Sequence, residues 1–112
     1  VSYLFDAYFR LKENDIEGAR VSLRNSLEVL RKELLPLLEV REESEKFRDN
    51  LEGLVNKLMG FLHYGGPHPG PAPKITTEMV ISIAIELIKY LTKSLEAGII
   101  SMKPKFSSEE LV

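Results

Sequence analysis

Residues 79–95 read MVISIAIELIKYLTKSL, and the fold turns on whether this Ile-rich run is a strand or a helix. Ser82, Glu86, Lys89 and Lys93 recur at i, i+4, i+7 and i+11. On a helix that spacing draws one narrow polar stripe over three turns, whereas a strand would scatter the same residues over both faces. The stretch is therefore expected to be helical, capped by Thr76 or Thr77, running to about Ala97 and stopped by Gly98. Met79, Val80, Ile81, Ile83, Ile85, Leu87, Ile88, Tyr90, Leu91 and Leu95 surround the stripe. A helix apolar around most of its circumference is either central in its domain or pressed against a second chain.

Upstream lies GGPHPGPAPK, residues 65–74, with proline at positions 67, 69, 71 and 73. The spacing predicts stiff polyproline geometry and a crossover loop with no helix in it. Before the loop, Phe47, Leu51, Leu54, Val55, Leu58, Phe61 and Leu62 make the buried stripe of a helix that Ser44 can cap and Gly65-Gly66 ends. Another helical stripe runs through Ala19, Leu23, Leu27, Leu30, Leu34, Leu37 and Leu38, within a span from Ile16 to Val40. Pro36 sits inside it, lacks a backbone N–H and clashes with the carbonyl four residues back, so a kink or early stop is expected near Leu35. At the amino end Tyr3, Leu4, Ala7, Tyr8 and Leu11 share one side of a short helix over residues 3–13, with Ser2 as cap and Asn14-Asp15 as the break, where Asp15 offers the cap of the next helix. Four helical segments and no strand pattern predict an all-α fold, a largely antiparallel four-helix bundle over residues 1–98. Residues 99–112 form a tail, extended or with a short final helix.

The 112 residues carry 44% apolar and 29% charged side chains and a net charge of -2. That is the profile of one soluble globular domain without a nucleic-acid arm or polybasic anchor. Cysteine is absent, which excludes disulfides, thiolate metal sites and a cysteine nucleophile. Glutamine and tryptophan are absent too. Loss of thermolabile residues beside abundant Lys, Glu and Ile is the bias of heat-adapted proteins. No signal-peptide pattern and no membrane-length apolar window are present, so the expected compartment is the cytoplasm. The chain begins at Val1 and is expected to be a fragment of a longer protein.

The densest cluster of polar chemistry is Asn56, Lys57, His63, Tyr64 and His68. One reading makes His63 an acid or base and Lys57 a charge stabiliser. The other makes His63 the cation at a helix carboxyl end and His68 a surface decoration. His63 and His68 alone, without a carboxylate nearby, do not make a metal site, and no cofactor is expected. Arg24 and Glu28, at i and i+4, fit a surface ion pair, and a less favoured reading turns Arg24 toward the histidines. Arg20, Arg24 and Arg31 form a one-sided basic strip interleaved with Glu17, Glu28 and Glu39, which fits a solvated face. Tyr3, Phe5, Tyr8 and Phe9 are too many rings for one side of one short helix, so some must reach a neighbouring element or a partner chain.

The run Asn14-Asp15-Ile16-Glu17-Gly18-Ala19, followed by Leu23-Arg24-Asn25-Ser26-Leu27-Glu28, resembles the opening of HEPN-like helical domains. These include the abortive-infection-type domains of bacteria and archaea. Residues 56–63, leading into Tyr64-Gly65-Gly66-Pro67-His68-Pro69-Gly70, are similar to the segment where such domains carry a histidine before a glycine-rich turn. Catalytic members are metal-independent ribonucleases that use an arginine and a histidine. The position matching that arginine is Lys57, a point charge without the bidentate fork. The resemblance implies a non-enzymatic interaction or dimerisation module, part of a larger protein or of a toxin–antitoxin or defence-type system. A homodimer through the last helix is expected, with a further protein partner allowed. The alternative is a weak ribonuclease using Lys57 and His63. Asn56, Tyr64, His68 and Arg24 are candidate binding residues.

Overall fold

A computed structural model describes residues 2–40, 44–63 and 71–102. Four α-helices dominate it: α1 (Ser2–Lys12), α2 (Ile16–Val29), α3 (Ser44–His63) and α4 (Pro71–Glu96). Two three-residue strands, β1 (Leu38–Val40) and β2 (Ile100–Met102), pair antiparallel with Glu39 opposite Ser101.

Helix α1 stops where Asn14 takes a φ of 63°, a left-handed conformation that asparagine tolerates better than most residues. The Asp15 N–H then reaches the Arg10 carbonyl at 2.8 Å and the Asn14 N–H reaches that of Leu11 at 3.0 Å, which satisfies the helix end. Asp15 caps α2 by accepting the Gly18 N–H at 3.0 Å. A Cβ at Gly18 would run into the Asp15 carboxylate, so the absence of a side chain there lets the cap close. Helix α4 ends in the same way. Gly98 has a φ of 73°, and the Ile99 N–H bonds to the Ser94 carbonyl at 2.9 Å.

The stop forced by Pro36 comes earlier than the pattern predicts. Regular α-helix ends at Val29. A π turn over Leu30–Leu34 follows, with the Leu35 N–H reaching back to Leu30, and then a 3-10 turn over Leu35–Leu37. The proline ring crowds the preceding turn and its missing N–H leaves the Lys32 carbonyl without its helical donor, so the chain loosens by one residue before it leaves the helix. Leu38, expected as a helical position, is instead a strand residue and fully buried. The strands are the element that the sequence pattern does not announce. Both are too short to show an alternation. Strand β2 takes Ile100, Ser101 and Met102 from the predicted tail, and Ile100 is buried in the core.

The loop before α4 is shorter than expected, because α4 already begins at Pro71. A first helical turn needs no N–H donors, so prolines at 71 and 73 fit there. Thr77 is therefore no cap: it lies inside the helix, buried, with its hydroxyl donating to the Pro73 carbonyl at 2.6 Å. The rest of the loop lies outside the described residues.

The core gathers Leu4 and Ala7 of α1, Leu23 and Leu27 of α2, Leu51, Val55, Leu58 and Leu62 of α3, and Val80, Ile81, Ala84, Leu87 and Leu91 of α4. Leu54 and Phe61, expected in the α3 stripe, are exposed. At 100° per residue they lie some 70–90° off the line of Leu51, Val55, Leu58 and Leu62. Helix α4 touches α1, α2, α3 and β2. Its outer side still shows Ile75, Met79 and Tyr90 to solvent beside the predicted polar stripe.

Candidate functional site

Asn56, Lys57 and His63 all sit on α3, and all three are exposed. The helix is unbroken between them, so its periodicity fixes their directions. Asn56 and His63, seven residues apart, share a side, while Lys57 points about 120° away from His63. Tyr64 and His68 lie outside the described residues.

What faces the Asn56 side is α2. Arg31 donates from Nη1 to Asn56 Oδ1 at 2.9 Å, and Arg20 donates from Nη2 to the carbonyl oxygen of Leu62, the residue before His63. Arg20 is only 7% exposed. The basic strip of Arg20, Arg24 and Arg31 is thus turned inward against α3, which corrects its reading as a solvated face. Spacing of four and seven residues keeps the three side chains on one side, and the α3 helix offers them polar atoms. The carboxyl end of a helix has carbonyls without helical donors, and a guanidinium is a strong partner for them.

Arg24 lies between the other two arginines on that side. Its Nε is buried and finds no acceptor among the described residues. The expected ion pair from Arg24 to Glu28 is also corrected. Glu28 gives its carboxylate to Arg31 at 2.7 Å and to Lys32 at 3.0 Å. Those contacts, Lys32 first, hold the Glu28 carboxyl below the usual range.

A second polar cluster sits at the α1–α2 turn. Arg10 bonds Asp6 at 2.8 Å and Asp15 at 2.9 Å, and the Ser22 hydroxyl donates to Asp6. The Ser22 hydrogen bond, then Arg10, lowers the Asp6 pKa. The Gly18 N–H, then Arg10, lowers that of Asp15. This cluster ties two helices together and leaves no open group for chemistry.

The feature that the residue-by-residue reading missed is a groove between α1 and α4. It has a volume of about 430 Å³ and is lined by Leu4, Phe5, Tyr8, Ile85, Ile88 and Lys89. Beside it, Phe5 and Phe9 are 59% and 60% exposed. Tyr8 and Phe9 meet edge to face at 5.9 Å, and the Lys12 ammonium stands 4.8 Å above the Tyr8 ring. The surplus of rings in residues 3–9 was the available signal, but which of them border a cavity depends on α4. The groove offers apolar walls and a lysine at its rim, a lining suited to binding and without a base or nucleophile paired for catalysis. No helix among the described residues is long and apolar enough to cross a membrane. Comparison with protein-family models, with curated proteins and with solved structures gives no match for this chain.

Proposed function

We propose that this chain is a non-enzymatic helical interaction and dimerisation module of HEPN-like type, acting in the cytoplasm as part of a larger protein or of a defence-type system. Its helices form a largely antiparallel four-helix bundle. Support for that arrangement comes from the early Arg20 of α2 meeting the late Leu62 of α3, while the later Arg31 meets Asn56. The observation that carries the functional reading is the apolar outer surface of α1 and α4. Phe5 and Tyr8 of α1 face Ile85 and Ile88 of α4 across the groove, and Phe9, 60% exposed, projects from α1 beside it. Exposed apolar area concentrated in this way marks an interaction surface. Light scattering on the pure chain should give twice 12.7 kDa at high protein concentration. A mass of 12.7 kDa throughout would overturn the dimer.

The second reading, a weak ribonuclease using Lys57 and His63, draws its support from Arg20. That guanidinium bonds the carbonyl next to His63 and brings an arginine to the same helix end. Metal-independent cleavage of single-stranded RNA by the pure chain, lost in His63→Ala, would put this reading first. The interaction reading expects no cleavage.

A further inference from the structure

Helix α1 supplies both a wall of the groove and the most exposed rings among the described residues. At 100° per residue, Phe5, Tyr8, Phe9 and Lys12 cover one side of α1, and Leu4, Ala7 and Leu11 cover the side turned to the core. Phe5 and Tyr8 form one wall of the groove, and Phe9, the next ring around the helix, projects beyond it. A protrusion and a hollow side by side on one element have the self-complementarity that a two-fold axis requires, because each copy must present both.

We propose that the α1–α4 groove of one copy receives the Phe9 and Phe5 rings of a second copy of this chain, with the two α1 helices crossing about a two-fold axis. This rests on the self-association reading above and names the surface that performs it. The volume of about 430 Å³ falls within the roughly 300–1,000 Å³ of cavities that take in groups of this size.

Area sets the strength. Three rings about half exposed offer on the order of 300 Å² per copy. Two copies offer roughly 600 Å², to which the half-buried Ile85 and Ile88 walls add, so the contact belongs with weak, transient interfaces rather than the standard ones of about 1,200–2,000 Å². The dimer is therefore weak and concentration-dependent.

Sedimentation equilibrium over a range of concentrations tests this on the parent chain, on the double variant Phe5→Ser/Phe9→Ser, and on Phe61→Ser as a control. All three rings are exposed, so circular dichroism should be unchanged. The double variant should weaken association at least tenfold, and Phe61→Ser should leave it alone. If the double variant loses its helical signal, Lys89→Glu decides: an anion at the rim faces the negative ring surface and should weaken association, and an unchanged dimer overturns the groove. A dimer that persists in a folded double variant overturns the groove and leaves self-association standing through another face. A parent chain that stays monomeric overturns both.

Discussion

Arginines meet two different fates in this molecule, one at the α1–α2 turn and one along the α2–α3 contact. Arg10 at the turn is paired with two carboxylates, and all three side chains are nearly half exposed. Arg20 at the helix contact is buried and bonds a main-chain carbonyl. Formal charge pairing would rank Arg10 first. Solvent reverses the ranking, because water and salt screen the exposed network, whereas removing a buried donor leaves a carbonyl unsatisfied.

The largest effect that could break this comparison is Arg20→Ala. It should lower unfolding free energy by about 2–3 kcal/mol in urea titration, the range for a buried hydrogen bond to a charged donor. A loss no greater than that of Arg10→Ala, measured in parallel, would reverse the ranking. Arg31→Ala comes next, at about 0.5–1 kcal/mol, since its guanidinium bonds Asn56 from a partly exposed position. A double-mutant cycle with Asn56→Ala should recover a coupling of about 0.5 kcal/mol.

Acid titration sharpens the other side of the comparison. Asp6 and Asp15 have pKa values lowered by folding, so their pairing adds stability above the ordinary carboxylate value of about 4. That contribution is lost as pH falls through the lowered folded values. Melting temperature followed down from about pH 5 should therefore fall less in Asp6→Asn/Asp15→Asn than in the parent. An identical acid limb in the two would show that the turn network contributes nothing. The smallest effect belongs to Arg24→Met. Its buried Nε has no acceptor among the described residues, so the change should lie within about 0.5 kcal/mol of neutral, on the stabilising side.

The contrast also marks where the sequence is readable. The helices were legible from the 3.6-residue repeat, and so were the Asp15 cap and the Gly98 stop, because each depends on residues within one turn. The break at Pro36 was legible in kind but not in place, since a π turn carries the strain back to Leu30. Strands of three residues give no period to detect. The inward turn of the basic strip escaped because glutamates interleave with it in sequence, and only the placement of α3 shows that Arg20 and Arg31 reach its polar atoms. The groove escaped because its two walls, Phe5 and Ile85, are contributed by helices at opposite ends of the chain. The histidine cluster that stood out in sequence has its last two members, Tyr64 and His68, outside the described residues.

The pairing of β1 with β2 has a kinetic side. Leu38 and Met102 are partners across 64 intervening steps of chain. A ribosome releases the amino end first, so α1, α2 and α3 can dock on one another while β1 still lacks its neighbour. Contacts between such distant segments form slowly, because the loop between them must close before any gain is realised. Leu38 and Val40, packed beside α3, stay without a strand neighbour on the nascent chain until Met102 and Ile100 emerge. The last of the described elements to be made is the one that completes the sheet.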